Sequence, residues 1–190
     1  KFLLLHTLSH LLMKQLSFEC GYSIASLKER IYCSEPSQGR NMSGVFIYTA
    51  SGDSEGTMGG LVRQGRSDVF PGIFRKAIDA AITCSNDPVC SLSQGQGRDS
   101  LNLAACYSCT LVPETSCEEF NVFLDRGSVI GTFEDPEIGF YSSYIGTKIK
   151  WKAPIKKENK KKETNLSHQC VVTNFGMDLS GSDYAIIWKN

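Results

Sequence analysis

The residues with the clearest capacity for chemistry are cysteines, and they are unevenly spread along the chain. Five of the eight lie in one stretch: Cys84, Cys90, Cys106, Cys109 and Cys117. Cys106 and Cys109 form a Cys-x-x-Cys pair, a spacing at which two thiolates can bind one tetrahedral ion. The further cysteines nearby strengthen that signal and favour a structural zinc site. Because a closed zinc site uses four ligands, one of the five cysteines is expected to be spare.

Two other roles for these cysteines stay open. Disulfide bonds require an oxidising compartment, and the opening segment KFLLLHTLSHLLMKQL is interrupted by polar residues and lacks the features of a secretory signal. A redox-active Cys-x-x-Cys follows a strand in a βαβ unit, which residues 103–105 do not supply. The other three cysteines stand alone and are expected to be ordinary thiols: Cys20, Cys33 and Cys170.

Two histidines near the start of the chain share a helical spacing. His6 and His10 are four residues apart, which places both imidazoles on one face of a helix. The metalloprotease version of this spacing has a glutamate directly after the first histidine, where this chain has Thr7. Because both histidines share the helix with an apolar stripe, we favour packing or a polar contact over a metal site.

Acidic residues support a weaker alternative, a metal-dependent nuclease or hydrolase. Asp53 and Glu55 follow the end of a predicted strand, a position at which functional residues often lie, and Asp87 could join them. Turn and capping roles explain these residues equally well. Since no nucleophile, base and orienting group can be assembled around them, we expect the domain to be non-catalytic.

These residues must be positioned by secondary structure, and the sequence pattern predicts a helix-rich α+β domain. It is expected to contain a small β element and a cysteine-ligated zinc knuckle. Apolar periodicity predicts helices over residues 1–18 and 68–83, and Gly21 is expected to end the first of them. The β-branched and aromatic stretch 44–49 predicts a strand. Further β-like pieces occur near the end of the chain, at Val171-Val172 and residues 184–188.

Two more helices are expected between these elements. Residues 26–29 have the pattern of a capping box and predict the start of a short second helix. A last helix is predicted to begin near Glu114 and to contain Phe120, Phe123 and Leu124. At the end of that helix, we expect at least one member of the pair Asp125-Arg126 to be partly buried and hydrogen-bonded to loop backbone near the zinc knuckle.

The distribution of charge divides the chain into two parts. Its 190 residues suffice for a single domain with a core, and its 20 basic and 20 acidic side chains cancel. The cancellation hides an asymmetry, because residues 1–147 contain 11 basic and 16 acidic side chains and residues 148–190 contain 9 and 4. We therefore divide the chain into a zinc-binding domain, residues 1–146, and a lysine-rich linker with a C-terminal tail, residues 147–190.

The basic residues of the sequence are concentrated in one lysine-rich stretch, residues 148–162. A charge run of this kind is commonly a solvated linker. The functional alternative is non-specific contact with single-stranded or duplex DNA, in which an aromatic ring can stack on a base. The residues predicted to make that contact are Lys150, Trp151, Lys152, Lys156 and Lys157.

Five motifs follow one another over residues 1–140, and their order is more specific than any one of them. They are HTLSHLL, IYTASGDSEGTMGG, CSNDPVC, NLAACYSC and PETSCEEFNVFLDR. In this order they resemble the MrfA-type zinc-binding (MZB) domain found at the C-terminus of DEAD/DEAH-box helicases. The last two motifs most resemble the helicase-partner subunits of DISARM antiphage defence.

The resemblance implies a Zn²⁺ ion and a module that serves a superfamily-two helicase in DNA repair or antiphage defence. The metal ligands predicted on this basis are Cys90, Cys106, Cys109 and Cys117, with Cys84 as the alternative. Helicase ATPase motifs are absent from the sequence, so the motor is expected elsewhere in the same protein or in a partner. The opening segment is too short and too polar to cross a bilayer, and we expect a cytoplasmic protein without a membrane partner.

Overall fold

A computed structural model describes residues 1–34, 37, 42–49 and 60–145, together with the backbone of residues 170–179 and 182–189. Within these residues the α-helices are α1 (Phe2–Cys20), α2 (Gly60–Gln64), α3 (Phe70–Ala81) and α4 (Gly127–Ile130). The strands are β1 (Leu27–Cys33), β2 (Ser43–Thr49), β3 (Cys170–Leu179) and β4 (Ser182–Lys189). The fold is therefore α+β, as the sequence predicts, and both the central strand and the β-like pieces near the end of the chain are confirmed.

The strands form one sheet with the order β1-β2-β4-β3. β1 and β2 pair antiparallel, with Leu27 opposite Thr49 and Cys33 opposite Ser43. β4 lies parallel to β2 and antiparallel to β3. The sheet therefore brings the last part of the chain against a strand from its first third.

The core is built around α1. Its residues Leu12, Met13 and Leu16 are fully buried, and the helix packs against α3, β1 and β2. α3 contributes a regular apolar face of Phe70, Ile73, Phe74, Ala77, Ile78 and Ala81. Because neighbours cover α1 on several sides, its polar residues between positions 6 and 10 are buried as well. Gly21 ends the helix in the left-handed conformation, with φ of 71°, as predicted.

The helix predicted at residues 26–29 is wrong. A short 3-10 turn, Ile24–Ser26, leads directly into strand β1. In β1 the side chains of Leu27 and Glu29 are buried while Arg30 is exposed, so the strand places one face on α1. Pairing along the whole length of β2 satisfies the backbone of these residues better than a helix of one turn could.

The helix predicted from Glu114 is also wrong. A single 3-10 turn, Glu114–Ser116, is followed by Cys117 in an extended conformation. Phe120, Asn121 and Phe123 then have positive φ angles of 50° to 60°, which no right-handed helix contains. The next helix, α4, begins only at Gly127. None of the described helices has both the length and the apolar character required to cross a membrane.

Side-chain hydrogen bonds stabilise this irregular segment in place of a helix. The Asn121 amide donates to the carbonyl of Val112 and accepts from its N–H, at 2.7 and 3.0 Å. The Asn102 side chain does the same between Leu124 N–H and the Asn121 carbonyl. Both asparagines are buried, and Asn102 supplies partners for two backbone groups, of Asn121 and Leu124, that the predicted helix would have paired.

Candidate metal centre

Four buried or half-buried cysteines converge between α3 and the segment that precedes α4. The Sγ atoms of Cys84 and Cys106 are 3.4 Å apart, and Cys109 Sγ lies 3.7 Å from the Sγ atoms of both Cys90 and Cys106. All four sulfur atoms lie within 4.8 Å of one another. A tetrahedral zinc with bonds of about 2.3 Å to sulfur requires sulfur–sulfur distances of about 3.8 Å. This cysteine cluster therefore fits a zinc ion.

The first two cysteines lie in a loop directly after α3. The Asp87 carboxylate accepts a hydrogen bond from Cys84 N–H at 2.9 Å, and Cys90 N–H donates to the Asn86 carbonyl at 2.9 Å. These bonds close the loop so that both thiols face the same side. The apolar face of α3, which anchors the helix in the core, thus fixes the position of the pair.

The second two cysteines form a tight turn. Both Cys109 N–H and Thr110 N–H donate to the Cys106 carbonyl, at 3.2 and 2.9 Å. Between the two pairs, the loop is closed by reciprocal backbone hydrogen bonds of Gln96 and Asn102, at 2.8 and 3.1 Å. Gly97 in this loop has φ of 70°, and a Cβ there would lie 2.6 Å from the Asn102 amide nitrogen. A larger residue at that position would therefore disturb the closure.

Hydrogen-bond donors surround the sulfur atoms. Asn86 donates from its backbone N–H to Cys84 Sγ and from its side-chain amide to Cys106 Sγ, at 3.4 and 3.3 Å. The Thr110 hydroxyl donates to Cys109 Sγ at 3.2 Å. Such donors stabilise thiolates and orient them toward a metal ion. Neither Asn86 nor Thr110 has a distinct signal in the sequence, and neither is among the predicted site residues.

The four thiols do not ionise equally well. Burial, together with the neighbouring thiols, raises the pKa of Cys84 to about 11 and raises that of Cys90 further. Partial burial opposes ionisation of Cys106 too, but hydrogen bonds from the Cys109 backbone and the Asn86 side chain lower its pKa to about 6. Four adjacent thiolates repel one another, and a divalent cation between them removes that repulsion. The close approach of the four sulfur atoms therefore agrees with a metal site.

The structure separates the predicted ligands into two groups. Cys90, Cys106 and Cys109 are brought together, and the fourth position of their cluster is taken by Cys84, the alternative ligand of the sequence prediction. Cys117 lies in a second group with His6, His10 and Glu29. The polar contact predicted for the two histidines is therefore present. Its acidic partner, Glu29, was missed because the sequence predicts a helix where β1 forms.

Most of the other residues singled out in the sequence lie outside the described part of the chain. This applies to the acidic pair Asp53 and Glu55 and to the lysine-rich residues Lys150, Trp151, Lys152, Lys156 and Lys157. Asp87 is described, and it caps the loop between Cys84 and Cys90 and pairs with Arg126. Arg126 itself is buried, as expected for one member of the pair Asp125-Arg126.

Comparison with known proteins identifies the family. The family model for the MrfA Zn-binding domain matches residues 8–110, which is more than half of the chain. The chain therefore belongs to that family. The matched range includes all four residues of the cysteine cluster and ends before Cys117. The expected zinc ion is therefore confirmed by the family together with the fit of the cluster.

One relative is similar over most of this chain. The chain is 43% identical over 144 residues to the DISARM protein DrmB of Bacillus paralicheniformis (strain ATCC 9945a / NCIMB 11709 / CD-2). The match covers 76% of this chain and 25% of the relative, so the chain spans about a quarter of the length of that protein. The predicted resemblance to DISARM subunits is confirmed.

Proposed function

We propose that this chain is a non-catalytic, zinc-stabilised domain of a helicase-associated protein that acts in antiphage defence or DNA repair. Its role is to dock onto a superfamily-two helicase and to contribute to the handling of DNA. The observation that carries the proposal is the cysteine cluster Cys84, Cys90, Cys106 and Cys109, within a domain of the MrfA Zn-binding family. The relative named as a DISARM protein supports the setting in defence.

We propose these four cysteines as the zinc ligands, with Cys84 rather than Cys117 completing the site. Zinc bound by four thiolates has no open position, so it stabilises the fold and does not activate water. Two loops, residues 84–90 and 106–109, meet at this site. Because neither loop contains a helix or a strand, metal binding is expected to be part of the folding free energy of the region.

The zinc loops also present apolar side chains to solvent. Val89, beside Cys90, is 80% exposed, and Tyr107, within the Cys-x-x-Cys turn, is 85% exposed. Tyrosine is enriched at protein interfaces because its ring contributes apolar area and its hydroxyl can still hydrogen-bond. Exposed apolar residues on a rigid zinc loop are suited to contact with a partner protein, and we propose that they contact the helicase.

The docking proposal is tested by co-purification of this protein with a superfamily-two helicase. The variant V89S/Y107S is expected to retain its zinc and its melting temperature and to recover at least about tenfold less helicase, the loss of a moderate hot spot. The matched control is Phe18→Ser, which removes an equally exposed aromatic ring from α1. Equal recovery with both variants would contradict docking through the zinc loops.

The non-catalytic proposal has its own test. The protein is incubated with single-stranded and duplex DNA in the presence of Mg²⁺ or Mn²⁺, and we expect no cleavage. Cleavage that is abolished by Asp53→Asn or Glu55→Gln, with zinc content unchanged, would replace this proposal by the nuclease alternative.

A further inference from the structure

Four potential metal ligands form a second, fully buried cluster beside the core. His6 and His10 come from α1, Glu29 from β1 and Cys117 from the segment after the 3-10 turn; their exposed fractions are 0%, 0%, 3% and 7%. His6 Nε2 lies 3.1 Å from both Cys117 Sγ and Glu29 Oε1, and His10 Nε2 lies 3.3 Å from the same carboxylate oxygen. All four ligand atoms lie within 4.8 Å of one another.

The hydrogen bonds of His10 fix its tautomer. Its Nδ1 lies 3.1 Å from the carbonyl oxygen of Thr110, which can only accept, so Nδ1 bears the proton. In the neutral imidazole, Nε2 then presents a lone pair to Glu29 Oε1, which is also an acceptor. Two buried acceptors at 3.3 Å require a cation between them, and that cation is either a proton or a metal ion.

Other atoms of the cluster lack partners. His6 Nδ1 and Glu29 Oε2 are buried and make no hydrogen bond to any described residue. Leaving such groups unpaired in the interior is costly, and a purely protonic network among these residues would not remove the cost. A metal ion coordinated by His6 Nε2 and a Glu29 carboxylate oxygen would offset it through the coordination energy.

We infer that His6, His10, Glu29 and Cys117 form a second zinc site, distinct from the cysteine cluster. A tetrahedral ion with bonds of about 2.1 Å has ligand–ligand distances of about 3.4 Å, close to those of this cluster. Two imidazoles, one thiolate and one carboxylate are a donor set that suits zinc, whereas calcium and magnesium require oxygen ligands. Four protein ligands and complete burial leave no open position, so the site is structural.

The surroundings of the cluster match those of a metal site. The His10 Nδ1–H bond to the Thr110 carbonyl is the contact by which a ligating histidine is usually oriented. Asn121 N–H donates to Cys117 Sγ at 3.2 Å, and Glu118 N–H donates to Glu29 Oε1 at 3.4 Å. Each of these donors supports a negatively charged ligand atom.

One residue connects the second site with the cysteine cluster. The Thr110 carbonyl accepts from His10, and the Thr110 hydroxyl donates to Cys109 Sγ at 3.2 Å. The second site itself joins α1, β1 and the segment around Cys117, none of which belongs to the cysteine cluster. The two ions would therefore stabilise adjoining parts of the domain, one holding the zinc loops and the other tying the Cys117 segment to the core.

The wild-type protein provides the first test, because it needs no variant to fold. Zinc per chain is measured by inductively coupled plasma mass spectrometry, and the coordination shell by zinc X-ray absorption. Two zinc ions with an average of about 2.5 sulfur and 1.5 nitrogen or oxygen ligands are expected from the two donor sets together. One zinc ion per chain with four sulfur ligands would overturn the second site.

Variants then assign the ligands. Cys117→Ser and Glu29→Gln are expected to lose one zinc ion and to shift the remaining shell toward four sulfur ligands. The matched control Cys20→Ser removes a half-buried thiol outside both clusters and should retain two ions. If both ligand variants retain two zinc ions with the wild-type absorption spectrum, the assignment of these residues is wrong.

Discussion

The buried Arg126 and the partly buried Asp87 form an ion pair that joins the segment before α4 to the first zinc loop. Nη2 of Arg126 donates to Asp87 Oδ1 at 2.6 Å, and Nη1 donates to the carbonyl of Ala81, at the end of α3, at 3.0 Å. The other carboxylate oxygen of Asp87 accepts from Cys84 N–H. The guanidinium thus holds the end of α3 next to the loop in which the first two cysteines lie.

Removing the guanidinium should be strongly destabilising. Arg126 is 2% exposed and Asp87 is 17% exposed, so Arg126→Met leaves a largely buried carboxylate without its partner. We expect a loss of about 3 kcal/mol in the free energy of unfolding, at the lower end of the range for a broken buried pair. The measurement is urea unfolding of the zinc-loaded protein at pH 7.

The matched control is Arg66→Met. Arg66 pairs with Asp68 at 3.2 Å, but both side chains are 64% exposed. An exposed pair of this kind contributes little, and a loss under about 0.5 kcal/mol is expected. Similar losses for both variants would show that the buried position of Arg126 has no special importance.

The same pair predicts a pH dependence. Burial opposes ionisation of Asp87, but hydrogen bonds from Arg126 and the Cys84 backbone hold the pKa of this carboxyl below its ordinary value. A pKa that is lower in the folded state adds stability that is complete above the unfolded pKa of about 3.9 and is lost as the pH falls through the folded pKa. The free energy difference between wild type and Asp87→Asn should therefore be largest near pH 7 and shrink below about pH 4.

Urea unfolding of both proteins at pH 7, 5 and 3.5 measures that difference. Zinc content is measured at each pH as well, because Asp87 also bonds to the backbone of Cys84 and the variant can change zinc release. A difference that stays constant over the three pH values would contradict the role given to the ionised Asp87.

Zinc binding by the cysteine cluster predicts a coupled loss of metal and stability. The double variant C106S/C109S removes both thiolates of the Cys-x-x-Cys turn and should release the ion from this cluster. Since structural zinc contributes directly to folding, we expect the melting temperature to fall by at least about 8 °C. Zinc content and differential scanning calorimetry provide the measurements. Melting at the wild-type temperature would mean that the site is not structural.

Much of the fold follows from local patterns in the sequence. α1, α3 and β2 have apolar residues at periods that identify their type, and Gly21 marks a helix end through its freedom to adopt positive φ. The cysteine spacing also identifies the zinc knuckle, because Cys106 and Cys109 are close in sequence. Features of this kind depend on residues that are close together in the sequence, so the sequence alone predicts them.

The remaining features depend on contacts between distant residues. The helix expected from Glu114 fails because the buried Asn102 pairs with backbone groups of Asn121 and Leu124, while Asn121 pairs with the backbone of Val112. The sequence around these two asparagines does not reveal such contacts. Sequence spacing groups Cys117 with the nearest cysteines, whereas its actual neighbour His6 is 111 residues away along the chain. Choosing between Cys84 and Cys117 therefore requires the tertiary structure.

The lysine-rich stretch is predicted to contact DNA. If Lys150, Lys152, Lys156 and Lys157 contact phosphates, changing all four to glutamine should weaken binding to single-stranded DNA and reduce its dependence on salt. Removing one phosphate contact lowers the slope of log affinity against log salt by about 0.7, so removing four corresponds to a change of about 3. Fluorescence anisotropy between about 50 and 200 mM salt measures both quantities.

Two comparisons make this prediction specific. Replacing the same lysines by arginine keeps the charge and should preserve the salt slope, while Trp151→Ala should lower affinity without changing the slope, because stacking on a base releases no counterions. Substitution is preferable to truncation, since β3 and β4 follow the stretch and β4 pairs with β2. If the glutamine variant binds with the affinity and slope of the wild type, any DNA contact lies elsewhere and the lysine-rich stretch is a linker.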